Sequence, residues 1–198
     1  MIVTTSRLRL RAWAQTDRDA FAALHADPAV MHDYGGPIGR AESDAKFDRY
    51  GLAYRQYGFC RWAVETQDGA FIGYTGIMPS RPGHPIGPHN DIGWQLVRPA
   101  WGFGFATEAA RAALADAFRR LGLSEVVAYT APDNLRSQAV MTRLPMKRDP
   151  SRDFTADCDG IIAWRGLVWV ARPEVPDIAV SPMSAENDRV VGDASVHL

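Results

Sequence analysis

The chain has 198 residues, 46% of them hydrophobic, and its 22 basic and 23 acidic side chains leave a net charge of −1. That length and composition suit one compact domain with a tail. The charge balance, with no basic run, excludes a general nucleic-acid binder, and no apolar run approaches the roughly 18 residues of a membrane span.

Residues 1–7 lack the apolar stretch of a secretory signal, so a cytoplasmic protein is expected. Arg7-Leu-Arg-Leu-Arg11 alternates charged and apolar side chains, the pattern of a half-exposed strand. Over residues 17–25, Phe21 and Leu24 share a helical face, and Asp27-Pro28 closes the helix. Residues 32–37 read as a loop and 42–57 as a second helix. Residues 59–64 and 70–77 read as strands, and Gln67-Asp68-Gly69 between them suits an antiparallel hairpin. Four prolines and two glycines make 79–88 a loop. A strand follows at 91–97. Residues 106–121 form the clearest helix, with Ala109, Ala113, Leu114, Ala117, Phe118 and Leu121 on one stripe and Gly122 as its stop. A strand at 125–130, a helix at 134–144 and one further strand within 160–171 complete the pattern. From Pro173 onward the periodicity dissolves, so the expected division is a domain over 1–172 and a disordered tail over 173–198. Cys60 and Cys158 fit no metal-ligand spacing and are expected as free thiols. No metal site is expected.

The chemically informative stretch is 91–109, Asp-Ile-Gly-Trp-Gln-Leu-Val-Arg-Pro-Ala-Trp-Gly-Phe-Gly-Phe-Ala-Thr-Glu-Ala. It reads as strand, glycine turn, helix start. Gly102 and Gly104 lack Cβ atoms and let a ligand approach the backbone. The helix that follows presents unpaired N–H groups and a positive dipole end, the elements of a phosphate site. There is no Gly-Lys-Ser/Thr of a Walker loop and no third glycine of a dinucleotide fingerprint. On spacing alone, Gly102-Phe-Gly104 is equally a tight turn or an anion site.

The wider string decides between them. Asp91-Ile-Gly-Trp94, Trp101-Gly-Phe-Gly-Phe-Ala-Thr-Glu-Ala109 and Asn134-Leu-Arg-Ser137, in this order and spacing, resemble the GCN5-related N-acetyltransferase (GNAT) superfamily, in particular its RimJ/RimL branch. Ser6-Arg-Leu-Arg-Leu-Arg11 and Asp27-Pro-Ala-Val-Met31 resemble it too. The resemblance covers roughly residues 5–172. It implies an α/β fold: a mixed, mostly antiparallel sheet, a splayed parallel strand pair and helices on both faces. It implies acetyl-CoA as cosubstrate and an amine acceptor, either a protein N-terminus or a small molecule. Beyond that acceptor, a second copy of the chain is the one other partner considered. The runner-up function is a non-catalytic acyl-CoA sensor or scaffold.

By the same resemblance, the backbone of Trp101, Gly102, Phe103, Gly104, Phe105 and Ala106, with Thr107, holds the pyrophosphate. Leu96, Val97 and Arg98 pair with the pantetheine arm like an added strand, and Asn134 meets the cofactor from the last helix. Asp91 stands where the superfamily often carries an acid near the acceptor. Its roles are proton acceptor, anchor of a substrate ammonium, or loop cap. A lysine-like amine near pKa 10.4 costs roughly 4.6 kcal/mol to present neutral at pH 7, and an α-amine near 8 costs about 1.4. A short aspartate base therefore suits an α-amine. A strand amide near Leu96 suits the oxyanion. Ser137 matches a serine of this branch and is the expected hydrogen-bond donor to the sulfur. The loop residues His32, Tyr34, His84 and His89 are candidate acceptor contacts. Three positions depart from the pattern: Phe103 stands where a basic or polar residue is usual, Met141 where many members carry tyrosine, and Pro145 where glycine is usual.

Overall fold

A computed structural model of the protein describes residues 2–158 and 162–173. The expected tail beyond Pro173 lies outside the described residues. The chain order is β1 (Ile2–Thr4), β2 (Leu8–Arg11), α1 (Arg18–Ala26), α2 (Pro28–Met31), α3 (Arg40–Tyr57), β3 (Arg61–Thr66), β4 (Phe71–Pro79) and β5 (Asn90–Leu96). It continues with α4 (Phe105–Arg119), β6 (Val126–Thr130), α5 (Leu135–Arg143), β7 (Lys147–Arg148), β8 (Phe154–Cys158) and β9 (Ile162–Ala171).

The strands form one sheet in the order β1-β2-β3-β4-β5-β6-β9-β7, with β8 paired to β9. Every pairing is antiparallel except β5 with β6. Those two are joined by the α4 crossover, the kind of connection parallel strands require. They meet at a single register pair, Asp91 with Val127, and then diverge. That divergence opens the sheet at its centre.

Local sequence explains the elements. In β2 the apolar set of the alternation, Leu8 and Leu10, is buried, while Arg11 reaches Glu65 and Asp17. Asp27 caps α2 by accepting from the Ala29 N–H at 2.8 Å, so the predicted end of α1 is also the start of a second short helix. α4 buries Ala109, Ala110, Ala113, Leu114 and Ala117, and its small side chains let it lie close on β4 and β5. α5 ends at Leu144 in an extended conformation (φ −90°, ψ 162°). The following Pro145 forces this, because proline excludes the helical region for its predecessor. The helix end therefore departs from the left-handed glycine stop, and the Leu144 N–H still bonds to Val140 and Met141 carbonyls.

Side-chain alternation assigns the two faces of the sheet. Arg61, Tyr74, Asp91 and Gln95 share one face through the registers Arg61–Gly76, Tyr74–Gln95 and Met78–Asp91. There Tyr74 packs on Phe21 of α1 and Tyr50 of α3, each at 5.6 Å between ring centroids. Ile92, Trp94 and Leu96 point to the other face, which α4 covers. Helices thus lie on both faces, as the resemblance implied. Four elements escaped the sequence reading: β1, α2, β7 and β8. The first three have two to four residues, too short to show a period.

Candidate active site

The α4 face holds a cleft of about 590 Å³ at the mouth of the β5–β6 divergence. Its floor is Trp94, Gln95 and Leu96, and one wall is the 101–107 turn into α4. Gly102 (φ 84°) and Gly104 (φ 78°) are both left-handed, which reverses the chain tightly. A Cβ on Gly102 would meet nothing within 4 Å, so glycine is needed there for its dihedral and not for space. Gly104 caps α4 without a side-chain bond, leaving the first amides of the helix directed at the cleft. The Arg7 guanidinium fixes the turn from behind. It donates to the Phe103 carbonyl at 3.0 Å, pairs with Glu108 at 2.6 Å and stacks on the Phe105 ring at 4.6 Å. With its carbonyl held outward, the turn keeps its N–H groups for a ligand. Such a cradle of amides, free of any acidic side chain, fits a diphosphate.

The opposite wall is the start of α5. Asn134 Oδ1 accepts from the Ser137 N–H at 3.0 Å and caps the helix, which leaves the Asn134 amide nitrogen as its free donor. Ser137 also lines the cleft, and its hydroxyl bonds to none of the described residues. Arg136 lies over the Trp101 ring at 4.4 Å and pairs with Asp33 at 2.9 Å. Burial raises the Asp33 pKa, but His32 and Arg136 outweigh it and hold the carboxyl below its usual range.

The backbone of β5 contributes alternately. The Val97 N–H bonds to the Ile72 carbonyl at 3.0 Å, so odd-numbered residues address β4. Even-numbered ones, Trp94 and Leu96, therefore turn their amides toward the opening. The Leu96 carbonyl is taken by Trp101 Nε1 at 2.8 Å, and Tyr34 Oη donates to the Trp94 carbonyl at 3.4 Å. The Leu96 N–H remains for a ligand.

The other face of the opening is built from side chains. The Asp91 carboxylate is buried and accepts from Arg61 Nη2. Burial opposes the Arg61 charge, but Asp91 and the neighbouring tyrosines more than restore it, so its pKa lies above the ordinary value. A Cβ on Gly93 would sit 2.6 Å from Arg61 Cζ, so this glycine makes room for the guanidinium. His25 is fully buried. Its Nδ1–H donates to the Phe21 carbonyl at 2.9 Å, which leaves Nε2 to accept from Lys46 Nζ at 2.9 Å. Burial, then the Lys46 charge, lowers the His25 pKa to about 4. Burial, then Arg61, Arg49 and Arg81, lowers the Lys46 pKa to about 7, with Glu42 opposing. Tyr74 Oη donates to Gln95 Oε1, and Gln95 Nε2 reaches Met31 Sδ at 2.9 Å. Tyr34 joins the two sides: its ring faces Lys46 at 6.0 Å and its hydroxyl reaches the cleft floor.

Of the residues expected to meet cofactor, Leu96, Trp101 to Thr107, Asn134 and Ser137 come together in this cleft, while Val97 and Arg98 stand outside its lining. Phe103 is 62% exposed at its rim, stacked on Phe105. Met141 is buried beneath α5 and away from the cleft lining. Asp91 sits at the neck of the opening, with its carboxylate given to Arg61. Of the acceptor candidates, Tyr34 lines the cleft. His32 is exposed on a second cavity of about 460 Å³. His84 and His89 pack on each other and on Tyr129, on the Asp91 side. Sequence reasoning missed Arg7 as the brace of the turn, and Lys46, His25 and Arg61. Lys46 stood out only as one of two lysines against twenty arginines.

The family model described as an acetyltransferase (GNAT) domain matches residues 7–147. The uncharacterized protein YkkB of Bacillus subtilis (strain 168) is 30% identical over 146 residues, 73% of this chain and 84% of that protein. A crystal structure of an acetyltransferase from Agrobacterium tumefaciens str. C58 superposes with a TM-score of 0.73 at 28% identity, covering 87% of this chain and 95% of that one. RimL, a ribosomal L7/L12 α-N-protein acetyltransferase solved with coenzyme A, superposes at 0.69 and 17% identity, covering 87% and 98%. At that identity the likeness to RimL is one of fold.

Proposed function

The chain belongs to the GNAT acetyltransferase family and is an acetyl-CoA-dependent N-acetyltransferase with RimL among its structural relatives; from that premise we propose that it acetylates a primary amine, a protein N-terminus or a small molecule, within a ternary complex. The observation that carries this reading is the alignment of two features. The amide cradle at 102–107 and the unused Leu96 N–H lie along one cleft that ends at the opening between β5 and β6.

In this reading the cradle amides, Asn134 and the edge of β5 hold coenzyme A, which supplies the activated acetyl thioester. The Leu96 N–H faces the acetyl oxygen, where a fixed donor stabilises developing negative charge. Ser137 Oγ lies on the wall beside the thiol end and supplies its proton as a hydrogen bond. Asp91 is assigned the task of holding Arg61 in place. The proton of the acceptor ammonium goes to Lys46, whose pKa of about 7 suits a base at neutral pH. Tyr34 places Lys46 one ring away from the Trp94 carbonyl.

Titration calorimetry with acetyl-CoA, together with thiol release over a panel of amines, tests the proposal. Binding with amine-dependent release is the expected outcome. Binding without release from any amine would favour a sensor and reject transfer.

A further inference from the structure

Across most of the molecule arginines are matched to carboxylates: Arg7, Arg11, Arg18, Arg40, Arg120 and Arg148 each pair with an acid within 3.0 Å. Behind the opening, two of the arginines that lack such a partner gather with a lysine on one face of the sheet. Lys46 Nζ on α3 lies 5.5 Å from the Tyr74 ring, and Arg49 one turn on lies 5.7 Å from the ring of Tyr50, which packs on Tyr74 at 5.6 Å. Arg61 of β3 stands beside Tyr74 on the same face of the sheet, and with Arg81 in the loop before β5 these arginines depress the lysine. The same three arginines and Asp91 act together on Tyr129 of β6, across the opening. The acids available to them are Asp91, already given to Arg61, and Glu42, exposed in the first turn of α3. Among the described residues, neither Arg49, Arg81 nor Lys46 forms an ion pair. The Nε–H groups of Arg49 and Arg61 are buried without any hydrogen-bond acceptor. A buried donor left unbonded is costly, by about 1–3 kcal/mol, and the Arg49 guanidinium as a whole makes no hydrogen bond to any described residue.

A cluster of this kind repels a bare ammonium and repels a polyamine more strongly. It attracts an amine that carries its own negative charge. It also favours the neutral form of whichever amine it admits, which is the nucleophilic form.

We propose that the acceptor is an amine bearing a carboxylate or phosphate, held by Arg49, Arg61 and Arg81 with its nitrogen at the opening between β5 and β6. This rests on the acetyl-transfer reading above. Thiol release from acetyl-CoA tests it on matched acceptors: glycine against glycinamide, phosphoethanolamine against ethanolamine, and the C-terminally amidated tripeptides Ser-Asp-Asp against Ser-Asn-Asn, with spermidine as a polycation. Each acceptor is run with the wild type, Arg49→Gln and Arg81→Gln, after thermal melts confirm that the variants fold. The ratio of kcat/KM within a pair is expected to favour the anionic member and to fall at least about tenfold in the variants. The pair that responds most separates carboxylate from phosphate. Spermidine as best acceptor, or a pair ratio unmoved by both substitutions, overturns the proposal and leaves acetyl transfer standing. Acetyl-CoA binding without release from any acceptor overturns transfer, and this proposal with it.

Discussion

The two sides of the opening are made differently. The cleft side presents main chain: amides of 102–107 turned inward by two left-handed glycines, and the Leu96 N–H on a strand edge. The far side presents side chains, Lys46, Arg61, Asp91 and Gln95, delivered from α3, β3 and β5. A site of backbone amides is specified by conformation, so it is encoded in a short contiguous string. A site of converging side chains is specified by tertiary placement, and its members are scattered along the chain. The first arrangement suits a ligand common to a family, and the second suits a ligand particular to one member.

Five substitutions sharpen that contrast. The largest effect is expected on the side-chain half. Lys46→Met should lower kcat/KM at pH 7 by about 10³-fold, within the range of general-base catalysis. The lysine accepts a proton only when neutral, so wild-type kcat/KM should rise with pH through about 7, and the variant should lose that limb. The groups setting this titration are His25, Glu42, Arg49, Arg61, Arg81 and the rings of Tyr34 and Tyr74. A profile unchanged in Lys46→Met would reassign the base.

The next effect concerns stability. His25 is held neutral, with its pKa lowered from 6.5 to about 4, so the unfolded chain binds the proton first as pH falls. Stability is full above pH 6.5, falls between 6.5 and about 4, and loses roughly 3 kcal/mol over that window. Urea unfolding across this range should show the slope, and His25→Gln should remove this residue's share of it.

The main-chain half should be more sensitive to conformation than to side-chain identity. Gly104→Val places a β-branched residue at φ 78° and should weaken acetyl-CoA by about 2 kcal/mol, read by calorimetry. Phe103→Ala should leave affinity nearly unchanged, since that side chain points out at the rim. A smaller effect than that of Gly104→Val is expected of Ser137→Ala, with about a tenfold loss of kcat and little change in acetyl-CoA affinity. Unchanged turnover would remove the proposed contact to sulfur.

The same division explains what was legible in the sequence. The strand–turn–helix of 91–119 was readable because its glycines and alanine stripe are local, and it pointed to Gly102 and Gly104; Leu96, Asn134 and Ser137 were candidates through the family resemblance alone. Asp91 was found by position, but its engagement by Arg61 was not, since that pairing joins two strands thirty residues apart in sequence. Arg7 was visible as part of a half-exposed strand, yet its bond to the Phe103 carbonyl spans 96 residues. Lys46 was invisible for a further reason. On the α3 sequence it reads as an ordinary solvated lysine, and only the packing of α1, α3 and the loop before β5 partly buries it among arginines. Pro145 was legible as a departure, and its consequence, an extended Leu144, is what the residue before a proline must adopt.

The central claim is that main-chain amides ahead of α4 grip the diphosphate of coenzyme A. Titrating unlabelled coenzyme A into ¹⁵N-labelled protein reads those amides one by one. The account predicts that the largest shifts fall on Gly102, Phe103, Gly104, Phe105, Ala106 and Thr107, with Leu96 following. Shifts concentrated elsewhere, or none at saturating coenzyme A, would contradict it.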